Sequence, residues 1–284
     1  MKRCLIVINT FKKDASEMGR EIELFLEQRG IGVRTFSYDG QSAFGKEVST
    51  SFLGVDFVIT LGGDGTVLFA SRGCGPLGLP VFAVNLGEFG FLAGIQKSDW
   101  KEFLELYIEE KLPCSERHLV TAEVFRNGQS VFEATGLNDV TVSSTAASRL
   151  INMDVSYDGA FLGPFKANGL IVSTATGSTA YSAGAGGPII SPSLKALVLT
   201  PISSFSLSAR PIVFSADGKL EIRVLESRTD VGLTVDGQID FALLKDDRVE
   251  LSIPPYTVKL AGYTLEKFYA ALQSKLNWAG GPRA

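Results

Sequence analysis

Residues 58–72 read VITLGGDGTVLFASR: an apolar run, then Gly62, Gly63, Asp64, Gly65 and Thr66 in succession, then apolar residues again. A tight hairpin turn needs about two residues of this kind, and here five stand together. A strand that ends in glycines and leads into a helix is one βα step of an open α/β sheet, whose ligands bind beyond the carboxyl ends of the strands. Glycines let the backbone come close to a phosphate, and N–H groups at a helix start attract anions. Asp64 stands in the middle, and a carboxylate repels phosphate. It makes chemical sense there if it accepts a proton from an attacking hydroxyl or holds a magnesium ion. The alternative is a tight turn in which Asp64 satisfies backbone N–H groups.

The flanking sequence supports the α/β reading. RCLIVIN (3–9), VRTFSY (33–38), DFVITLG (56–62) and PVFAVNLG (80–87) have the composition of buried parallel strands. Between the first two, Ser16 is positioned to cap a helix with Met18, Ile22, Phe25 and Leu26 on one face, stopped by Gly30. Ser98 is positioned to cap a helix through SDWKEFLELYIEEKL. GCGPLG (73–78) matches G-x-G-x-x-G but follows a helix rather than a strand and contains Pro76, so it is expected to be a connecting loop.

From Pro113 the character changes. Asn127-Gly128, Asp158-Gly159, Asp217-Gly218 and Asp236-Gly237 each suit a type I′ hairpin, in which both turn residues need positive φ. The expected fold is therefore an α/β N-terminal domain with an open, mostly parallel sheet, followed by a β-rich C-terminal domain. Residues 1–112 form the first and 113–261 the second. A last helix in 262–284, capped by Thr264, places Leu265, Phe268, Tyr269, Leu272 and Leu276 on one side and is expected to complete the first domain.

Composition narrows the function. The 284 residues are 45% apolar and 20% charged, as in a folded globular protein, and no apolar run approaches the ~20 residues of a membrane span. The run after Met1 is too short for a signal peptide, which gives an expectation of a cytoplasmic protein without membrane partners. A net charge of −4 without a dense basic stripe speaks against nucleic acid. Three scattered cysteines and one histidine, His118, speak against a disulfide framework, a His-based triad and a multi-His zinc site.

Two more stretches invite chemistry. In ANGLIVSTATGSTAYSAGAGGPIISP (167–192) a strand leads into Thr176, Ser178, Thr179, Ala180, Tyr181 and Ser182. Hydroxyls and small residues after a strand suit a ribose and an aromatic base, whereas the alternative is a low-complexity linker. In GLNDVTVSS (136–144) Asn138 and Asp139 interrupt a strand, either as a self-satisfied bulge or as ligands to a polar molecule.

Taken in order, these stretches resemble the NAD kinase family. GGDGT (62–66) is similar to its first motif, VNLGEFGFLAGI (84–95) to its Asn-x-Gly segment, and NDV (138–140) to its Asn-Glu motif. GLIVSTATGSTAYSAGAGGPII (169–190), TPISSFSLSARPIV (200–213) and VDGQ (235–238) resemble the long central motif, the segment after it and a late turn near the site. The resemblance implies phosphoryl transfer from ATP or polyphosphate, with magnesium accompanying the ATP, to the 2′-hydroxyl of the adenosine ribose of NAD. It also implies a homodimer or homotetramer. Asp64 would be the base, with Gly62, Gly63, Gly65 and Thr66 around phosphates. Asn138 and Asp139 would bind ribose hydroxyls or the dinucleotide's polar edge. Thr179, Ala180 and Tyr181 would line its ring pockets, with Thr176, Ser182 and Asp236 nearby.

Asp139 and Asn168 depart from the family's usual Glu and Asp, and the second departure bears on whether NAD or NADH is preferred. Arg149 stands where the family often has an arginine near the dinucleotide; a solvated strand-end charge is its alternative. Two rival functions share the residues: a lipid kinase using the same GGDGT logic, and a dinucleotide sensor without turnover.

Overall fold

The computed structural model describes residues 2–40, 45–87, 90–146, 149–278 and 280. Glu88 and Phe89 of the 84–95 motif, and the end of the 262–284 segment, lie outside them. The chain divides into two units, Met1–Glu116 with Val258–Ala284, and Arg117–Thr257.

In the first unit strands and helices alternate. They are β1 (Arg3–Asn9), α1 (Ala15–Glu27), β2 (Gly32–Tyr38), α2 (Lys46–Ser51), β3 (Phe57–Gly62), α3 (Asp64–Leu77), β4 (Pro80–Asn85), β5 (Ile95–Gln96), α4 (Trp100–Ile108) and β6 (Cys114–His118). The sheet runs in the order β2-β1-β3-β4, and these pairs are parallel. Apolar runs suit its core strands because both faces are covered: every residue of β3 is buried. α1 turns Met18, Ile22, Phe25 and Leu26 inward, as its 3.6-residue spacing requires. It begins at Ala15 with Asp14 at the N-cap, not at the expected Ser16.

α3 differs from expectation more sharply. It continues through GCGPLG, which is helix and not a connecting loop. A Cβ on Gly73 would stand 2.6 Å from the Phe52 ring, so that glycine serves close packing rather than a turn. Pro76 falls in the last turn, where few backbone bonds remain to be broken, and left-handed Gly78 (φ 64°) ends the helix. α4 is shorter than expected, with Asp99 at its N-cap in place of Ser98.

The second unit is antiparallel. Its strands are β7 (Val120–Arg126), β8 (Gln129–Gly136), β9 (Asp139–Ser144), β10 (Ile151–Tyr157), β11 (Ala160–Ala167), β12 (Gly169–Thr174), β13 (Ala196–Ile202), β14 (Ile212–Ser215), β15 (Leu220–Val224), β16 (Val231–Val235), β17 (Ile239–Leu243) and β18 (Arg248–Ser252). A short helix, α5 (Tyr181–Gly184), follows β12. Among the described residues they form two six-stranded sheets, β11-β10-β15-β18-β7-β8 and β14-β13-β12-β9-β16-β17, whose facing valines, leucines and isoleucines make one core. Asn127-Gly128, Asp158-Gly159 and Asp236-Gly237 have positive φ at both residues, as type I′ turns demand. Asp217-Gly218 does not. It links β14 to β15, which lie in different sheets, so it is a crossover and not the expected hairpin.

The chain then returns to the first unit. β19 (Thr257–Ala261) pairs in parallel with β4 at Pro80 and Val81 and has β6 on its other side. α6 (Leu265–Leu276) starts at Thr264, whose hydroxyl accepts from the Lys267 N–H. Its buried residues are Phe268, Ala271 and Leu272, whereas Leu265, Tyr269 and Leu276 of the expected stripe are exposed. No helix among the described residues is long and apolar enough to cross a membrane.

Candidate functional site

In the first unit the glycine loop joins the carboxyl end of β3 to the start of α3. A Cβ on Gly62 would stand 2.2 Å from the Thr66 hydroxyl oxygen, and that hydroxyl accepts a hydrogen bond from the Asn9 side chain at 3.1 Å. Gly62 and Thr66 therefore brace the loop against β1. Over Gly63 nothing lies within 4 Å of a Cβ position, leaving its backbone open to a ligand.

Half-buried Asp64 begins α3. Its Oδ2 accepts the N–H of Phe91 at 2.8 Å, and its Oδ1 accepts those of Leu92 and Ala93 at 3.0 Å each. The turn closes so tightly that a Cβ on Gly90 would stand 2.2 Å from Oδ1. Asp64 thus satisfies backbone donors, but those of the 84–95 motif and not of its own turn. A carboxylate offers about four lone-pair sites, so Oδ2, with one donor, keeps room for another.

The second unit carries a cavity of about 370 Å³ lined by Asn138, Asp139, Thr141, Ser143, Ala180, Tyr181, Thr234, Asp236 and Gly237. Strand parity explains its polarity. Val140 and Val142 of β9, Leu170 and Val172 of β12, and Val231, Leu233 and Val235 of β16 face the core. Alternate residues of a strand point the other way, so Thr141, Ser143 and Thr234 put a row of hydroxyls on the outer face. Thr234 and Thr141 are cross-strand partners.

Asn138 and Asp139 stand where the chain passes from β8 in one sheet to β9 in the other. Their position is set by Asp236, at the β16–β17 turn. Its carboxylate accepts the backbone N–H groups of Leu137, Asn138 and Asp139 at 2.9, 2.8 and 3.1 Å. The Asp139 carbonyl in return accepts the Asp236 N–H at 2.9 Å. Asp139 is only 6% exposed. Burial, and the neighbouring charge of Asp236, push its carboxyl up to about 7.

The segment after β12 is ordered and not a linker. Thr174, Ser178 and Ser182 are buried with hydroxyls bonded to the Leu137 carbonyl, the Ala175 carbonyl and the Thr200 hydroxyl. A Cβ on Gly177 would stand 2.0 Å from the Asn138 carbonyl oxygen, so only glycine lets this segment close on β9. Thr176 is buried, and its carbonyl accepts the Thr179 hydroxyl. Tyr181 remains 52% exposed at the cavity.

Most of the expected residues thus fall into three groups, whereas Thr176, Thr179 and Ser182 stand in the segment after β12 and are not among the residues lining the cavity. Gly62, Gly63, Asp64, Gly65 and Thr66 lie together in the first unit. Asn138, Asp139, Ala180, Tyr181 and Asp236 share the cavity of the second. Arg149 and Asn168 pair with each other, the Asn168 amide donating to the Arg149 carbonyl at 2.6 Å, and do not line that cavity. Thr141, Ser143 and Thr234 are not singled out by the sequence reading, while Gly237 belongs to the VDGQ turn expected near the site. The alternation of Thr141 and Ser143 with Val140 and Val142 was the available signal. Among the described residues, no three or more His, Cys, Asp or Glu side chains are grouped to hold a metal ion.

Comparison with known proteins follows the same division. Residues 46–112 match the ATP-NAD kinase N-terminal domain, and residues 137–262 match the ATP-NAD kinase C-terminal domain. NAD kinase of Treponema denticola is 43% identical over 281 residues, covering 99% of this chain and 98% of the relative. That of Desulforamulus reducens is 40% identical over 286 residues, covering 97% and 98%. Among solved structures, yeast NADH kinase complexed with NADH aligns over 100% of this chain and 89% of its own, with TM-score 0.86 and 24% identity. An NAD kinase from Archaeoglobus fulgidus in complex with ATP aligns over 99% and 100%, with TM-score 0.75 and 22% identity. Those two likenesses establish the fold, and the full-length sequence identity establishes the kinship: the chain belongs to the NAD kinase family.

Proposed function

We propose that the chain transfers a phosphoryl group from ATP, or polyphosphate, to the 2′-hydroxyl of the adenosine ribose of NAD, giving NADP. The observation that carries this reading is Asp64, a carboxylate fixed by three N–H groups at an open glycine loop, with lone-pair capacity left on Oδ2. As the 2′-oxygen attacks the terminal phosphorus, its proton passes to Asp64 and ADP leaves. Phosphoryl transfer asks for positioning and charge neutralisation beyond that one acceptor.

The loop around Gly63 and the start of α3 receive the donor's phosphates. Magnesium enters with the ATP as part of the substrate, neutralising phosphate charge. Residues 1–112, completed by 262–284, hold the donor and the base, and 113–261 hold the dinucleotide. There Asn138 and Asp139 meet its polar groups, Thr176, Thr179, Ala180, Tyr181 and Ser182 shape the pocket, and Asp236 holds the 137–139 segment. Arg149 and Asn168 act as a pair near the nicotinamide end. A cytoplasmic homodimer or homotetramer belongs to the same reading; Phe205 and Leu207, 71% and 91% exposed, offer apolar surface for a second copy.

The test is NADP formation from NAD and magnesium–ATP, beside Asp64→Asn. Loss of turnover by about 10²–10⁴-fold in a folded variant that still binds NAD supports the role. A wild type that binds NAD without making NADP, from ATP or polyphosphate, would be a sensor.

A further inference from the structure

The turn that holds Asp64 is itself held from its other side. Its N–H groups at Phe91, Leu92 and Ala93 face the Asp64 carboxylate. The next carbonyl, that of Gly94, accepts a hydrogen bond from the Lys267 ammonium at 2.9 Å. The same ammonium donates to the Gly262 carbonyl at 2.7 Å, so it ties the turn to the link between β19 and α6. Two further contacts join that link and helix to the turn. The Phe91 and Phe268 ring centroids lie 6.3 Å apart, and a Cβ on Gly94 would stand 2.9 Å from the Tyr263 ring. All of these residues belong to the first unit.

Lysine is an unexpected residue for this place. Lys267 is the third residue of α6 after the Thr264 cap, where the helix dipole favours acids and disfavours a cation. It is half-buried, and burial pushes its ammonium below the usual lysine range, with the charge of Asp99 opposing. The Phe103 ring centroid lies 4.6 Å from Nζ. Among the described residues the ammonium bonds to the two carbonyls and to no carboxylate. Helix stability therefore gives no reason for a cation here, whereas the turn does. A cation on the carbonyl side of residues 91–94 and an anion on their N–H side polarise the turn in one direction, and each strengthens the hydrogen bonds of the other. A charged donor also fixes a carbonyl more firmly than a neutral one.

We infer that Lys267 is a positioning residue for the phosphoryl transfer: from the last helix it sets the 91–94 turn, and through that turn the orientation of the Asp64 carboxylate. The inference rests on the reading of Asp64 as the base of an NAD kinase. What Lys267 governs is the direction of the lone pair that Oδ2 keeps for the substrate proton. A base misplaced by about 1 Å can cost about 10²-fold in rate, and the substrates bind as before. Lys267 thus acts on kcat and not on substrate affinity.

Steady-state kinetics of the whole chain test this with Lys267→Met, which keeps an apolar stem and removes the ammonium. The expected result is a kcat lower by about 10–10²-fold, with KM for NAD and for magnesium–ATP within about twofold of the wild type. Because a smaller folded fraction would also lower kcat, the same change is made in Asp64→Asn. There it should lower the residual kcat by less than about twofold, since the carboxylate it orients is gone, whereas a general defect would multiply through both backgrounds. Should Lys267→Met not fold, Lys267→Gln, whose amide still donates to one carbonyl, takes its place under the same criteria. An unchanged kcat, a loss carried by KM, an equal loss in both backgrounds, or failure of both variants to fold would overturn the inference and leave the kinase reading standing. Asp64→Asn with wild-type turnover would instead remove the base, and the inference with it.

Discussion

At Gly62 a methyl group would collide with Thr66, while at Gly63 it would meet nothing, and the two neighbours should respond differently to the same change. Gly62→Ala is expected to destabilise by about 1–3 kcal/mol, read as a lower denaturation midpoint. Gly63 has an extended backbone (φ −122°, ψ −166°) that alanine adopts, so Gly63→Ala should leave stability within about 1 kcal/mol. If a phosphate approaches that backbone, the same variant should raise KM for ATP by about tenfold or more. Unchanged ATP kinetics would remove Gly63 from the donor site. Asn168→Asp would set a carboxylate oxygen against the Arg149 carbonyl in place of the amide donor. It is expected to change KM for NAD or NADH more than kcat, and unchanged kinetics for both would exclude the pair from the site. Asp64 could be picked out of the sequence because a carboxylate among glycines is chemically odd. Its three donors could not, because Phe91, Leu92 and Ala93 are distant in sequence and give only backbone groups.

Elements succeed or fail by how local their causes are. The three type I′ hairpins were legible because an Asx-Gly pair fixes its own φ values. GCGPLG looks like a loop in sequence, but its Gly73 answers to the close approach of Phe52, a packing partner that no local pattern names, and not to a turn. The turn after Gly90 is held from two elements, by Asp64 at the start of α3 and by Lys267 of α6, which donates to the Gly94 carbonyl at 2.9 Å. In the second unit Asp236 does the corresponding work for residues 137–139. Asp236→Ala would leave three backbone donors short of a partner, and is expected to lower stability by about 2–4 kcal/mol and weaken NAD binding. Urea denaturation with a dinucleotide titration checks both, and a variant of wild-type stability would show that water serves those N–H groups equally well.

For the molecule as a whole, the broad architecture followed from the change from helix-strand alternation to Asx-Gly turns near Pro113. The division of twelve strands between two sheets did not, because crossovers such as Asp217-Gly218 look like hairpins in sequence. Stability should carry the mark of Asp139. Its folded value of about 7 lies above the ordinary 3.8, so the folded state binds the extra proton between them. That contribution is full below about pH 4 and is lost as pH rises through about 7, by at most about 4 kcal/mol. Asp139→Asn should therefore raise the melting temperature at pH 8 more than at pH 5; an equal shift at both would show that the carboxyl titrates normally. A different consequence follows from β19, which lies between β4 and β6 but is the last strand among the described residues. A ribosome completes every residue of the second unit before it makes the strand that the first unit lacks. Until residue 261 is made, β6 and the Pro80–Val81 end of β4 wait without that partner. During synthesis, then, the earlier-made unit is the later to close, and a nascent chain halted near residue 257 would display an open sheet edge to whatever else the cell holds.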